Sequence, residues 1–287
     1  MDAGPTSRVY FSQRLRLHYV DWGNEEAPLL LLIHGGRDHC RNWDWVAQAL
    51  KDDYHVIAPD LRGHGDSQWM VGGTYMHMDF VYDIAQLVHQ VATDKVTIVS
   101  HSLGGAISAH YTGMQPEKVE KLVLIEGLGP PPEIKALIAK TPLHERINVW
   151  VEDLRRASGR LPRRYQTLDD ALKRMQDENP HLSESQARHL TLHGANRNED
   201  GTYSWKFDNY VRVFSPLNHQ DNILEGAFGR IECPVLLVHG LQSVFAMPDE
   251  SLLARFKDVR LEKIDNAGHW VHHDQLDEFL RILREFL

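Results

Sequence analysis

The 287-residue sequence holds only two cysteines, Cys40 and Cys233, so it can form at most one bridge and has no disulfide framework. It also lacks a long apolar run: the longest, Leu29 to Ile33, is far short of the roughly 20 residues of a membrane helix. Met1 to Ser12 has no apolar core of a signal peptide, and the expectation is a soluble, cytoplasmic protein. Basic side chains are scarce, 31 against 40 acidic ones, for a formal charge of −9. That balance favours solubility and gives no basic footprint for nucleic acid. Internal repeats, low-complexity stretches and glycine-rich nucleotide loops are missing. Asp38–His39–Cys40 and His272–His273–Asp274 contain metal-ligand residue types without a recognised ligand spacing, so no metal or cofactor is expected.

What remains is ordinary globular composition, 42% hydrophobic and 25% charged, in a chain long enough for one large α/β domain. Short apolar runs recur at Leu15–Trp22, Leu29–His34, His55–Pro59, Lys95–Ser100, Lys121–Glu126, Pro234–His239 and Val259–Asp265. The central runs are almost continuously apolar, as parallel strands covered on both faces require. Between them, Trp43–Leu50, Asp79–Val91 and Gly104–Tyr111 have helical spacing. In the tail, Leu276, Phe279, Leu280, Leu283 and Phe286 share one helical face. This is an α/β pattern.

One segment breaks the rhythm. More than a hundred residues between Glu126 and Pro234 show almost no strand pattern, opening with Pro130–Pro131–Pro132. Helical stretches follow at Glu133–Ile138, Ile147–Ser158, Thr167–Asp177 and Ser183–His193. Thr167 with Asp170 and Ser183 with Gln186 have capping-box spacing, and Gly194 suits a helix stop. A structureless loop of this length is uncommon, so residues 130–225 are expected to form a helical subdomain inserted into a core of residues 1–129 and 226–287. Tyr203 and Trp205 alternate with polar residues and read as a short ribbon returning to that core.

The strongest local signal is Ser100–His101–Ser102–Leu103–Gly104–Gly105, between an apolar strand and a helix rich in small residues. A nucleophile at such a sharp turn stands clear of the sheet, and small residues two before and two after relieve the crowding. Ser100 takes the place usually held by glycine. The helix starting at Leu103 also offers unpaired N–H groups to an anion. A second signal is His34–Gly35–Gly36 after a strand. The N–H of Gly36 can pair with that of Leu103 as an oxyanion hole, Arg37 being the alternative donor if the loop shifts by one residue. His34 reads as a loop organiser. A third is Asn266–Ala267–Gly268–His269–Trp270, where His269 follows the last strand and can reach the nucleophile as general base. His64, His101, His239, His272 and His273 read as surface or loop residues.

Together these motifs resemble the α/β-hydrolase family over essentially the whole chain, and Asp60–Leu61–Arg62–Gly63–His64–Gly65–Asp66–Ser67 is similar to a loop of that family. The resemblance implies an eight-stranded, mostly parallel sheet flanked by helices, an α-helical cap at 130–225, and the chain order Ser–acid–His. In most relatives the acid lies in a His-Gly-x-x-Asp loop. Here that loop reads His239–Gly240–Leu241–Gln242–Ser243, with serine at the acid's position. Some relatives place the acid after the sixth strand, which here ends at Glu126; Asp249 and Asp265 are the alternatives. A serine nucleophile implies acyl transfer, whereas haloalkane dehalogenases and epoxide hydrolases of this fold use aspartate. The reading is therefore a serine esterase cleaving carboxylic esters of apolar or aromatic small molecules without a cofactor, as monomer or homodimer. Ser102, His269 and Glu126 form its triad, and Gly36 and Leu103 its oxyanion hole. The substrate pocket is expected at Arg37, Trp69, Met70, His101, Phe245 and Trp270. Carbon–carbon bond hydrolysis, perhydrolase or lyase chemistry, or a low-turnover binding protein, are the alternatives on the same scaffold.

Overall fold

A computed structural model describes residues 4–129, 132–213, 215–217 and 226–287. The chain runs β1 (Thr6–Ser12), β2 (Leu15–Asp21), β3 (Leu29–Ile33), α1 (Asp44–Leu50), β4 (His55–Pro59), α2 (His77–Val91), β5 (Val96–His101), α3 (Leu103–Met114) and β6 (Val119–Ile125). Next come α4 (Pro132–Lys140), α5 (Leu143–Ser158), α6 (Leu168–Glu178), α7 (Glu184–Gly194), β7 (Ala195–Arg197) and β8 (Tyr203–Trp205). The chain then forms β9 (Val235–Gly240), α8 (Glu250–Leu253), β10 (Val259–Ile264), α9 (Val271–Asp274) and α10 (Leu276–Phe286).

Eight strands form one sheet in the order β1-β2-β4-β3-β5-β6-β9-β10. The β1–β2 and β2–β4 pairs are antiparallel and the others parallel. Strand periodicity divides the apolar side chains between two layers. Leu31 and Ile33 of β3, Leu122 and Leu124 of β6, and Val235 and Leu237 of β9 pack with α2 and α3. Their neighbours Leu30, Leu32, Val123, Ile125, Leu236 and Val238 pack on the other face with α1 and α10. Both faces are dry, which is why these strands read as continuous apolar runs. Each such fully buried side chain contributes about 1.5–3 kcal/mol.

The first strand was not visible in the sequence. Of β1 only Tyr10 and Ser12 are buried, and the turn into β2 is made by Gln13 and Arg14, both at positive φ, without the usual Asn-Gly signal. Cys40 and Cys233 are both buried and free, so the one conceivable bridge does not form. Among the described residues no helix is long and apolar enough to cross a membrane.

Among the described residues, α4 to α7 and the antiparallel β7–β8 ribbon lie between β6 and β9. Pro130, Pro131 and the expected boundary at residue 225 lie outside the described residues. Both capping boxes form, Thr167 with Asp170 and Ser183 with Gln186. This segment meets the core through polar contacts: His39 Nε2 with the Leu190 carbonyl at 3.0 Å, Gln186 with the His273 carbonyl at 3.1 Å, and Lys206 with Asp66 at 2.8 Å. The Asp60–Ser67 loop is structural. Asp60 accepts from Cys40 N, Asp66 N and His18 Nδ1, and the fully buried Arg62 forks onto Asp83 with two 2.6 Å bonds.

Candidate active site

The carboxyl ends of five parallel strands, β3, β5, β6, β9 and β10, supply the site. Ser102 follows β5 at φ 51°, ψ −116°, a left-handed conformation that a serine adopts only at a cost of about 1–3 kcal/mol. Its N–H continues the β5–β6 ladder by donating to the Ile125 carbonyl at 2.8 Å, so the strained turn is held at its base. Ser100 fits where glycine is usual because its hydroxyl donates to the Val123 carbonyl at 3.1 Å. Gly104 has no such freedom. A Cβ there would stand 2.6 Å from the carbonyl oxygens of both Ile33 and His34. Gly104→Ala is thus expected to cost about 1–3 kcal/mol, measured by urea unfolding, because backbone rather than side chain must give way. An unchanged midpoint would show that the β3 loop yields freely.

The His34–Gly35–Gly36 loop lies against this turn. Gly35 allows close approach, since a Cβ on it would be 3.2 Å from Ser102 Cβ and 2.8 Å from His101 Nδ1. Gly36 is exposed beside Leu103, a Cβ there falling 3.7 Å from Leu103 Cδ2. The Leu103 N–H sits in the first turn of α3, where no intrahelical acceptor exists. Arg37 follows at φ 64° and is exposed. His34 is fully buried and ties two loops together, its Nδ1 at 2.6 Å from the Gly35 carbonyl and its Nε2 accepting from Leu61 N at 3.0 Å. Burial, with repulsion from His64, lowers its pKa to about 3, so it acts as a neutral strut.

His269 Nε2 lies 3.0 Å from Ser102 Oγ, in position to accept the hydroxyl proton. Its ring stacks on Phe245 at 4.5 Å and packs against His101 at 4.6 Å. Nδ1 is 3.6 Å from Glu126 Oε2, an ion-pair distance that leaves room to tighten when substrate arrives. Glu126 itself stands directly after β6, at φ 55°. Its Oε1 accepts from Gly240 N at 2.9 Å and faces His239 Nδ1 at 3.0 Å. Oε2 accepts from the Ser243 hydroxyl at 2.6 Å. Burial would raise this carboxyl, but the bonds from His239, His269, Ser243 and Gly240 N outweigh it and bring its pKa down to about 2. Glu126 is therefore an anion at neutral pH.

The other sequence candidates fall in different places. Asp249 caps α8, and Asp265 is exposed and bound to Gln242, so neither takes the position that Glu126 holds. His101 is buried and its Nε2 donates to the His269 carbonyl at 2.9 Å, which makes it a support beneath the imidazole rather than a wall of an open cleft. Met70 lies against Arg62, and Trp69 is exposed. Trp270 lines a cavity of about 30 Å³ between core and inserted segment, together with Arg37, Trp205 and Phe207. His239, read from the sequence as a bland loop residue, proves to be a partner of Glu126. Only its place directly after the apolar run Val235–Val238, four residues before the serine that replaces an acid, hinted at that. Among the described residues, Asp44, His189 and His193 converge closely enough to hold a metal ion, but Arg41 already bonds to both Asp44 and His193 there.

Residues 28–276 match the family model described as alpha/beta hydrolase fold. A serine hydrolase-like protein of Danio rerio is 25% identical over 275 residues, 93% of this chain and 83% of the relative. A 3-hydroxybutyrate-oligomer hydrolase of Cupriavidus necator is 28% identical over 274 residues, covering 88% and 87%. Among solved structures, the thioesterase domain from the curacin biosynthetic pathway superposes with a TM-score of 0.86 at 22% identity, over 99% of this chain and all of the other. With the eight-stranded sheet, the strained serine turn and a family match across most of its length, this chain belongs to the α/β hydrolase family.

Proposed function

We propose that the protein is a serine hydrolase of carboxylic esters. The observation that carries this reading is the 3.0 Å contact between Ser102 Oγ and His269 Nε2, backed by an ionised Glu126. His269 removes the hydroxyl proton as Ser102 attacks the ester carbonyl. The tetrahedral oxyanion falls at the α3 N-terminus, where the N–H groups of Leu103 and Gly36 and the helix dipole stabilise it. His269 then protonates the leaving alcohol, and water activated by the same imidazole hydrolyses the acyl-enzyme. Glu126 keeps Nδ1 of His269 protonated and stabilises the imidazolium. Ser243 taken alone favours a scaffold without turnover. Its hydrogen bond to Glu126 supports the catalytic reading instead. We also infer that residues 130–225 act as a cap, supported by their polar contacts to the loops at 39, 66 and 273.

Fluorophosphonate labelling tests the reading directly. Intact mass should rise by one adduct, peptide mapping should place it on Ser102, and Ser102→Ala should stay unlabelled. An adduct on Ser100, Ser108 or elsewhere, or none, would remove Ser102 as nucleophile.

A further inference from the structure

The chain is acidic overall, yet the cavity between core and inserted segment, lined by Trp270 next to His269 and by Arg37 next to Gly36, is flanked by two arginines. Arg37 lies two residues beyond Gly35, a Cα path of at most about 7.6 Å from the residue that touches Ser102. It is exposed and lines the cavity between core and inserted segment. Arg212 is also exposed and stacks over Phe207, another lining residue, at 5.2 Å. Neither guanidinium has a carboxylate within ion-pair distance among the described residues.

The carboxylates that could neutralise them are otherwise engaged. Asp66 holds Lys206, Glu178 holds Arg174, and Asp208 accepts from Tyr75 Oη and Tyr210 N. Asp38, next to Arg37 in sequence, turns inward to accept from Asn42 and His39 N. Burial pushes its pKa up to about 7, which further weakens any compensation. The Arg212 guanidinium, covered in part although the residue is exposed, is destabilised first by that partial burial and next by repulsion from Arg37, with Arg160 and Arg174 adding and Glu178 opposing. Arg37 lines the cavity and Arg212 covers Phe207 in its wall, so two like charges border one cleft with no carboxylate in ion-pair contact among the described residues, an arrangement that suits an anion. Screening over about 8 Å at physiological salt lets this local pair prevail over the net charge of −9.

We propose that Arg37 and Arg212 bind a carboxylate of the substrate, so that the ester cleaved at Ser102 carries a free carboxylate a few carbons from its scissile carbonyl. This rests on the serine-hydrolase reading and narrows the expected apolar substrate to an anionic one. Planar guanidinium forks suit a carboxylate in bidentate geometry, and the aromatic walls at Phe207 and Trp270 suit the carbon chain between the two ends.

The test compares the mono-p-nitrophenyl ester of glutaric acid with p-nitrophenyl valerate, a neutral ester of equal chain length. The kcat/KM ratio of anionic to neutral ester should exceed about ten in the wild type. It should fall roughly 10- to 100-fold in Arg37→Gln or Arg212→Gln, and fall with added salt. A wild-type ratio near or below one, or a ratio that neither variant changes, overturns the inference while leaving the hydrolase reading intact. If neither ester is turned over, fluorophosphonate labelling of Ser102 decides the hydrolase reading. Calorimetry then decides the anion site by itself: monomethyl glutarate should bind the wild type, methyl valerate should bind at least tenfold more weakly, and the preference should vanish in Arg37→Gln. Equal binding of both compounds would overturn it.

Discussion

Glu126→Gln is expected to lower kcat about 10⁴-fold with the fold intact. The glutamine is nearly isosteric, and its carbonyl oxygen can still accept from Gly240 N, where Glu126 Oε1 accepts at 2.9 Å. Its NH₂ group then replaces Oε2, the oxygen that faces His269 Nδ1 at 3.6 Å. An N–H cannot accept from the imidazole. The ring is driven to the tautomer with its proton on Nε2, pointed at Ser102 and unable to take the hydroxyl proton. The imidazolium formed during attack also loses its counter-charge. Because the Ser243 hydroxyl lies 2.6 Å from Oε2, an aspartate at 243 places a carboxylate on the same side of the site. Glu126→Gln/Ser243→Asp should regain at least tenfold over the single variant. Steady-state kinetics on a p-nitrophenyl ester, with circular dichroism to check folding, measures both. A loss below tenfold in Glu126→Gln would exclude Glu126 as the triad acid.

The second large effect is acid unfolding at an unusually high pH. His34, His39, His64, His101, His110, His272 and His273 are all buried, and burial is the leading cause that lowers each pKa. Below about pH 6.5 the unfolded chain protonates these imidazoles while the folded chain holds them neutral. Protons bind the unfolded state in excess, so stability rises with pH through this window and falls as pH is lowered. The four whose pKa falls to about 3 or 4, His34, His64, His110 and His273, each cost about 1.4 kcal/mol at pH 5.5, and together approach ~6 kcal/mol, within the ~5–15 kcal/mol of a whole domain. Asp38 acts in the opposite sense, because a carboxyl raised to about 7 is protonated first in the folded state, and it offsets roughly one imidazole. The carboxylates of Asp60 and Glu126 are depressed, so their contribution is lost only at lower pH.

Tryptophan fluorescence should therefore show the fold lost above pH 4.5 at 25 °C. His64→Asn keeps a donor for the Arg62 carbonyl, which His64 Nδ1 meets at 2.9 Å, and should move the midpoint several tenths of a pH unit lower. His144→Asn, at a side chain that is 78% exposed, should not move it. A wild type still native at pH 4.5 would contradict this account.

Local sequence was enough for much of this. Unbroken apolar runs marked the central parallel strands, because both faces of each are covered. The strained turn at Ser102 was legible because it demands small neighbours within a few residues, and the place of His269 because it follows the last strand. The acid was legible only in part: an apolar strand ending in a carboxylate drew attention to Glu126, and the serine at 243 removed its usual rival. The geometry that makes Glu126 an anion came from the fold, since His239, Ser243 and Gly240 are more than a hundred residues away in sequence. The β1 edge strand stayed hidden because its outer face is exposed and its hairpin turn uses Gln13 and Arg14. His101 shares the look of a pocket residue and becomes a buried support only when β5 lies beside the loop carrying His269. The unpaired charges of Arg37 and Arg212 were equally out of reach. Sequence shows that a chain has arginines, and only the tertiary structure shows which carboxylates have been taken by other partners.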